Sequence, residues 1–310
     1  MSASLWTKAL AAALLGATGW FASPGAAVAE PGNKPSERIV SLGGSITEIL
    51  YLLDEDDALV GVDTTSIYPP ETGELPKVGY LRQLSAEGVL SLNPTMVIGS
   101  DDAGPPHVVD QLRQAGLNIV LLPNEKSPES LAATVKGVAE AVGKQEQAKP
   151  LLARLEKEWA AVKASADAKP AKPKVLFIYA RAGGILSVSG TGTAADAVIA
   201  LIGGQNAVTG YQGYKPLTAE AVVEASPDVI LLSESGLESQ GGLEGLLQIP
   251  GISLTPAGRD QRVLTASQLP LLGFGPRTPA ALAELARALD FEEEGSPVAN
   301  AFPSGPSHDK

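Results

Sequence analysis

The chain contains no cysteine and only two histidines. Without cysteine there is no disulfide, no thiol nucleophile and no residue to carry the lipid of an exported lipoprotein. His107 lies beside two prolines and His308 lies near the C-terminus, so a histidine metal cluster or a Ser-His-Asp triad has little to work with. The composition therefore argues against thiol and histidine chemistry and favours a protein that is not an enzyme.

Basic residues are also scarce, with 23 lysines and arginines against 35 acidic residues and a net charge of −12. A polyphosphate would be repelled, and no basic stripe follows any segment of the chain. A nucleic-acid partner is therefore excluded. Acidity by itself says nothing about the fold.

Long hydrophobic runs are lacking as well. The apolar run over residues 9–22 is shorter than the roughly 20 residues that a membrane span needs. It follows Lys8 and precedes small residues that end in Ala27-Val28-Ala29, which is the layout of a cleaved secretory signal. We expect a signal peptide over residues 1–29 and a soluble, periplasmic protein from Glu30 that is not a lipoprotein. A retained membrane anchor is the alternative.

The remaining sequence alternates short β-branched runs with amphipathic stretches, a pattern typical of parallel α/β sheets. It predicts an α/β fold of two lobes with mostly parallel sheets, over residues 30–126 and 169–289. A long helical connector joins them over residues 127–168, with a break or kink near Gly143 and Pro150. Residues 290–310 are expected to form a flexible tail.

One unit is repeated in the two halves. Residues 84–98 align without gaps to residues 217–231, and each copy predicts a short helix, a proline turn and a buried strand. Ser85 and Thr218 are the expected N-caps, and Glu87 and Glu220 lie in the first helical turns. Chance recurrence of a generic helix-strand unit is the alternative explanation.

Two tyrosine-containing segments precede the first copy of the repeat. In the second, an extended backbone would place Tyr80 and Arg82 on the same side. A phenol, with an ordinary pKa of about 10, becomes a good ligand for ferric iron when the metal and a guanidinium favour the phenolate. The alternative is that Tyr80 packs on a surface and Arg82 forms an ordinary salt bridge.

Several motifs carry a resemblance to a known family. Gly61-Val-Asp63, Tyr68-Pro69, Gly79-Tyr80-Leu-Arg82, Leu84-Ser-Ala-Glu-Gly88 and Gly190-Thr-Gly-Thr-Ala-Ala-Asp196 resemble the periplasmic haem-binding proteins of bacterial haem-uptake ABC transporters. These belong to the class III substrate-binding proteins, a superfamily that also contains cobalamin and siderophore carriers. The match covers nearly all of the chain between the signal and the tail.

The resemblance implies a monomer that binds ferric haem b between its lobes. Tyr80 would be the axial ligand of the iron and Arg82 would support its phenolate, while Tyr68 would serve loop structure. Tyr179 and Arg181 would face the porphyrin or its propionates, with ordinary packing as the open alternative. Because residues 177–187 contain no histidine, we expect one five-coordinate haem.

The resemblance also implies partners. Glu87 and Glu220 would dock on arginines of an inner-membrane ABC permease, although both also suit the helix dipole. An outer-membrane haem receptor would act upstream. Arg277, at the start of a final helix over residues 279–289, would contact a propionate, the permease or neither.

Two other functions stay open from the sequence. A cobalamin or ferric-siderophore carrier would share the fold, but it has no use for the Tyr80-Leu-Arg82 motif. An exported hydrolase or sugar-processing enzyme would need paired carboxylates in one cleft. Its candidates would be Asp63, Asp101 and Asp102.

Overall fold

The strand and helix signals of the sequence appear in the same order in the computed structural model of the protein. The structure describes residues 37–180, 185–289 and 298–300, the last three by their backbone. The expected signal peptide lies outside the described residues.

The first half of the chain alternates strands and helices. These are β1 (Ile39–Leu42), α1 (Gly44–Leu52), β2 (Leu59–Val62), α2 (Ala86–Leu90), β3 (Met96–Ser100), α3 (Pro106–Gln114) and β4 (Asn118–Leu122), with 3₁₀ turns at Asp56–Ala58 and Pro70–Glu74. They form a four-stranded sheet in the order β2-β1-β3-β4, and every neighbouring pair is parallel. Consequently all strands of this sheet end at the same edge.

Two helices follow, α4 (Pro128–Val142) and α5 (Gln145–Asp167). Gly143 separates them with a φ of 72°, in the left-handed region that glycine adopts most easily. Pro150, in contrast, lies inside α5, so the break occurs at Gly143 and the helix does not end at the proline. Since α4 packs on α1 and β4, the helix that bridges the two sheets is α5. It contacts α4 and two helices of the second half, α6 (Ala194–Leu201) and α12 (Thr278–Ala288).

The second half contains β5 (Lys174–Ala180), β6 (Leu186–Ser189), α6 (Ala194–Leu201), β7 (Gln205–Asn206), β8 (Tyr214–Pro216), α7 (Ala219–Ala225), β9 (Val229–Ser233), α8 (Glu234–Ser239), α9 (Gly242–Gln248), a 3₁₀ turn at Ile252–Leu254, α10 (Pro256–Arg259), β10 (Val263–Ala266), α11 (Gln268–Leu272), α12 (Thr278–Ala288) and β11 (Val298–Asn300). The sheet order is β11-β10-β9-β5-β6-β8, with β7 also paired to β5. Strands β11, β10, β9, β5 and β7 pair in parallel, while β6 and β8 add antiparallel pairs. The mostly parallel α/β architecture agrees with the prediction.

Three residues depart from the flexible tail that the sequence predicts from residue 290. Strand β11 pairs in parallel with β10 and extends the edge of the second sheet.

No helix among the described residues combines the length and apolarity that crossing a membrane requires.

Alternate side chains along the strands point to opposite faces of the sheet and belong to different hydrophobic clusters. In β5, Val175 and Phe177 face one side of the sheet, and Leu176 and Ile178 face the other. The first pair belongs to an apolar cluster that also includes Ile46 of α1 and buried residues of α4 and α5. One continuous core therefore joins the helical connector to both sheets and fixes the positions of the two sheets relative to each other.

The two copies of the repeat adopt the same local structure. Ser85 accepts a hydrogen bond from Gly88 N at 3.4 Å, and Thr218 accepts one from Ala221 N at 3.2 Å, so both predicted N-caps are confirmed. Matching residues after each helix also have a positive φ, 47° at Asn93 and 43° at Ser226. Each copy delivers an interior strand, β3 or β9, to its own sheet.

Candidate functional site

A cavity of about 1140 Å³ lies between the carboxyl-terminal edges of the two sheets. Its first wall includes Thr65, Tyr80, Arg82 and Asp102, and its second wall includes residues of β5, α6, β8 and α11. The volume exceeds the roughly 300–1,000 Å³ of most small-molecule pockets, so the cavity is an open cleft that accepts a large ligand. Ligands of open α/β sheets bind at this edge of the strands.

Tyr80 and Arg82 lie together on the first wall. Arg82 Nη1 donates a hydrogen bond to Tyr80 Oη at 3.0 Å, and the Tyr80 side of the pair remains accessible, with 37% of the residue exposed. The expectation of an extended backbone is wrong, because Gln83 N bonds to Tyr80 O at 2.7 Å and closes a turn. Gly79, with a φ of 98°, lets the chain enter this turn. The contact between Tyr80 and Arg82 is thus formed within a turn and not along an extended strand.

Backbone hydrogen bonds hold the Tyr80 loop in place. Gly104 N donates to Leu81 O, and Leu84 N donates to Gly104 O, both at 2.9 Å. The loop is therefore fastened to the segment that follows β3, and Leu81 and Leu84 are buried in the cluster on the outer face of the first sheet. This anchoring holds the Tyr80 phenol at a defined place on the cleft wall.

A network of polar side chains continues from Arg82. Arg82 Nη2 contacts Asp102 Oδ2 at 2.5 Å, and Asn124 Nδ2 donates to the same oxygen at 2.6 Å. Burial alone would raise the pKa of Asp102, but the hydrogen bonds from Arg82 and Asn124 lower it below its usual value. Asp102 is therefore a carboxylate that holds the Arg82 guanidinium beside Tyr80.

The network ends at Lys126, whose Nζ donates to Asn124 Oδ1 at 2.5 Å and lies 6.0 Å from the centre of the Phe274 ring. Burial lowers the pKa of Lys126 to about 8. Asn124 and Lys126 are not among the site residues predicted from the sequence. Their position directly after β4 could have indicated a place in the site, because the carboxyl ends of parallel strands meet at the same edge of a sheet.

Aromatic residues form part of the opposite wall. Tyr179, at the end of β5, and Tyr214, at the start of β8, both line the cleft, and their ring centres are 5.7 Å apart. Burial raises the pKa of Tyr214. Tyr179 is predicted from the sequence, but Tyr214 is not, because it lies in a segment between Gly210 and Pro216 without a clear strand pattern. Arg181, the other residue named for this wall, lies outside the described residues.

Tyr68 does not line the cleft. Its ring stacks on the Arg277 guanidinium, whose carbon is 3.5 Å from the ring centre. Arg277 Nε in turn donates to Glu48 Oε2 at 3.1 Å, and Glu48 is only 3% exposed. Burial raises the pKa of Glu48, although the positive charge of Arg277 acts in the opposite direction. Arg277 thus joins the start of α12 to α1 across the two halves.

The carboxylates considered for an enzyme have other roles. Asp63 is fully buried and accepts hydrogen bonds from Gly43 N, Thr65 N and Ser66 Oγ at 2.9–3.0 Å. It fixes the loop after β2 against the end of β1. Asp102 is occupied by Arg82 and Asn124, and Asp101 does not line the cleft. Within the described residues, no group of acidic or histidine side chains forms a metal-binding cluster.

Glu87 and Glu220 lie in the first turns of α2 and α7, and both are exposed. They do not line the cleft. They are therefore available to a protein partner, one on each half of the molecule.

Comparison with known proteins places the chain among substrate-binding proteins. A family model described as "Periplasmic binding protein" matches residues 39–269. The structure of the periplasmic heme-binding protein RhuT from Roseiflexus sp. RS-1 in apo form shares 46% sequence identity, covering 82% of this chain and 97% of that one, with a TM-score of 0.77. BhuT, a periplasmic heme-binding protein in complex with two hemes, shares 42% identity over the same fractions, also with a TM-score of 0.77.

A curated relative is the vitamin B12-binding protein of Vibrio parahaemolyticus. It is 26% identical over 67% of this chain and 75% of its own length. The similarity to these carriers and to the heme-binding structures confirms the class III fold and the resemblance on which the sequence analysis relied. The chain belongs to the periplasmic binding protein family.

Proposed function

We propose that this protein captures haem in the cleft between its two halves and delivers it to an ABC transporter of the inner membrane. The observation that carries the proposal is the hydrogen bond from Arg82 to Tyr80 Oη on the cleft wall. A carrier of cobalamin, whose metal brings its own ligands, has no need of this pair. The heme-binding structures that resemble the chain over most of its length support the same cargo.

In this proposal, Tyr80 Oη is the axial ligand of the iron. The guanidinium of Arg82 lies where it stabilises negative charge on that oxygen, and Asp102 keeps the guanidinium oriented. An anionic oxygen ligand favours ferric over ferrous iron, so we propose that the cargo, haem b, is carried in its ferric state. Tyr179 and Tyr214 supply aromatic surface to the opposite face of the macrocycle.

A spectral titration of the purified protein with hemin tests this assignment. The wild-type protein should give a tyrosinate-to-iron charge-transfer spectrum. Tyr80→Phe should lose this spectrum, whereas Tyr68→Phe, a matched change at a tyrosine outside the cleft, should keep it. An unchanged spectrum and affinity in Tyr80→Phe would mean that the iron site is wrong.

Glu87 and Glu220 are the proposed contacts with the permease. Their exposure and their matching positions in the two copies of the repeat suit a partner with two equivalent surfaces. The charge reversals Glu87→Lys and Glu220→Lys together should abolish haem transport in membrane vesicles and leave hemin binding intact. Glu129→Lys reverses another exposed first-turn glutamate, on α4, and serves as the matched control. Normal transport by the double variant would refute the docking role.

In this proposal the protein acts as a monomer in the periplasm after its signal peptide is cleaved, and it does not transform its cargo. With no cysteine in the chain, no lipid anchor is proposed. An outer-membrane haem receptor system would supply the cargo. One haem per protein is expected, because the iron ligand lies on one wall and residues 177–187 contain no histidine.

Cobalamin is the second candidate, because a vitamin B12-binding protein is among the relatives. Titration with cyanocobalamin beside hemin separates the two. The haem proposal predicts at least a 100-fold preference for hemin, which corresponds to about 2.7 kcal/mol. Tighter binding of cyanocobalamin would favour the alternative.

A further inference from the structure

Lys126 is a cation in the cleft that the proposed iron site does not use. It follows β4, lines the cavity together with Arg82 and Asp102, and is mostly shielded from solvent. A lysine ammonium carries three hydrogen-bond donors, and Asn124 Oδ1 accepts one of them. The side chain therefore has donors left for another acceptor in the cleft.

The neighbouring acidic groups do not neutralise Lys126. Asp102 Oδ2 already accepts hydrogen bonds from Arg82 and Asn124. Among the ion pairs of the described residues, none includes Lys126. Burial lowers the pKa of Lys126, and together with the repulsion from Arg82 it outweighs the attraction of Asp102 and Asp101. A partly buried charge without an ionic partner is unfavourable, and an anionic ligand group would relieve that cost.

We propose that Lys126 binds a carboxylate of the cargo and that the protein selects porphyrins with free carboxylates. The inference rests on the proposed function, since it assumes that a porphyrin occupies the cleft. It adds a second anchor that does not depend on iron. Tyr80 recognises the metal at one point of the wall, and Lys126 recognises the acidic edge of the macrocycle through charge-assisted hydrogen bonds.

Arg82 is less suited to this role. Its two terminal nitrogens already donate to Tyr80 and to Asp102. The positive charge of Arg82 is therefore already compensated by the Asp102 carboxylate, whereas no ion pair of the described residues includes Lys126. Lys126 can donate a hydrogen bond to a carboxylate while it keeps its hydrogen bond to Asn124, so the two anchors operate together.

The test compares three ligands: hemin, metal-free protoporphyrin IX, and hemin dimethyl ester, which lacks free carboxylates. Lys126→Met removes the ammonium and keeps most of the apolar stem. Lys136→Met makes the same change at an exposed lysine of α4 and is the matched control. Fluorescence quenching or absorbance titration gives the dissociation constants.

We expect Lys126→Met to weaken hemin and protoporphyrin IX by a similar factor of about 10- to 100-fold, the range of a hydrogen bond to a charged group. Binding of the dimethyl ester should change by less than about threefold, since its carboxylates are already blocked. The tyrosinate spectrum of the hemin complex should persist in Lys126→Met. The control should bind all three ligands like the wild type.

Two outcomes would overturn the inference while the proposed function stands. One is equal hemin binding by Lys126→Met and the wild type, and the other is equal wild-type affinity for hemin and its dimethyl ester. Failure of the wild type to bind any of the three porphyrins would overturn the proposed function as well. Thermal unfolding of the apo variant excludes misfolding, because removal of this buried cation should not lower the melting temperature. If Lys126→Met does not fold, Lys126→Gln replaces it in the same titrations.

Discussion

The contact between Glu48 and Arg277 joins the two halves of the molecule and gives the sharpest prediction about stability. Glu48 is 3% exposed, and its Oε2 accepts a hydrogen bond from Arg277 Nε at 3.1 Å. Its Oε1 has no hydrogen-bond partner. Arg277→Met would therefore leave a buried carboxylate without its cation.

Loss of one partner of a buried ion pair typically costs about 3–5 kcal/mol. The Arg277 side chain is 27% exposed, so we expect the lower end, about 3 kcal/mol, for Arg277→Met at pH 7. Loss of the stacking on Tyr68 adds about 0.5–1 kcal/mol. Glu48→Gln/Arg277→Met should recover much of the loss, because a neutral amide is less costly to bury than a carboxylate.

The pH dependence has a definite sign. Because burial raises the pKa of Glu48, the folded protein binds a proton more readily than the unfolded chain, and stability falls as pH rises above the ordinary value of 4.5. Arg277 lowers this pKa, so its removal extends the fall to higher pH. The difference between Arg277→Met and the wild type should therefore be smaller at pH 4.5 than at pH 7.

Urea unfolding followed by tryptophan fluorescence measures these differences, since Trp159 stacks on Phe274 near the same junction. Tyr68→Phe is the control, because it keeps the aromatic ring over Arg277 and should stay within about 0.5 kcal/mol of the wild type. An Arg277→Met variant within 1 kcal/mol of the wild type at both pH values would refute the buried ion pair.

Three further predictions concern single positions. Lys126→Met should raise the free energy of unfolding of the apo protein near pH 7 by at most about 3 kcal/mol, because the pKa of Lys126 falls from 10.5 to about 8. Urea unfolding should show this gain shrinking between pH 8 and 10.5, where the wild-type lysine loses its proton; a constant gain would contradict the burial argument. Gly79→Ala should cost about 1–3 kcal/mol through its φ of 98° and weaken hemin binding by displacing Tyr80, so unchanged affinity would argue against a rigid loop. Thr218→Ala should lower the free energy of unfolding by about 1 kcal/mol through loss of the helix cap, and no change in urea midpoint would show that the cap contributes nothing.

The sequence predicts local structure best where one signal dominates. Short β-branched runs such as Leu59–Val62 and Asn118–Leu122 do form strands, β2 and β4, since they carry both β propensity and turn residues at their ends. The N-caps Ser85 and Thr218 were predicted correctly because a capping hydrogen bond involves only neighbouring residues. In contrast, β6 and β8 were missed, because they are short and form only when they pair with β5 and with each other.

In the site too, contacts between residues close in sequence could be predicted, whereas contacts between distant residues could not. Tyr80 and Arg82 could be paired from the sequence because two positions separate them. Asn124 and Lys126 reach the same wall from another strand, so their role follows from the parallel order of β3 and β4. Glu48 and Arg277 are 229 residues apart, and no local pattern links them. Such contacts depend on how the whole chain packs, which a single sequence reports only weakly.

The most direct measurement of the central claim is a crystal structure of the protein loaded with hemin. We expect iron bonded to Tyr80 Oη, Arg82 still hydrogen-bonded to that oxygen, and the macrocycle covered by the wall that contains Tyr179. Iron bound by another side chain, or haem outside the cleft, would contradict it.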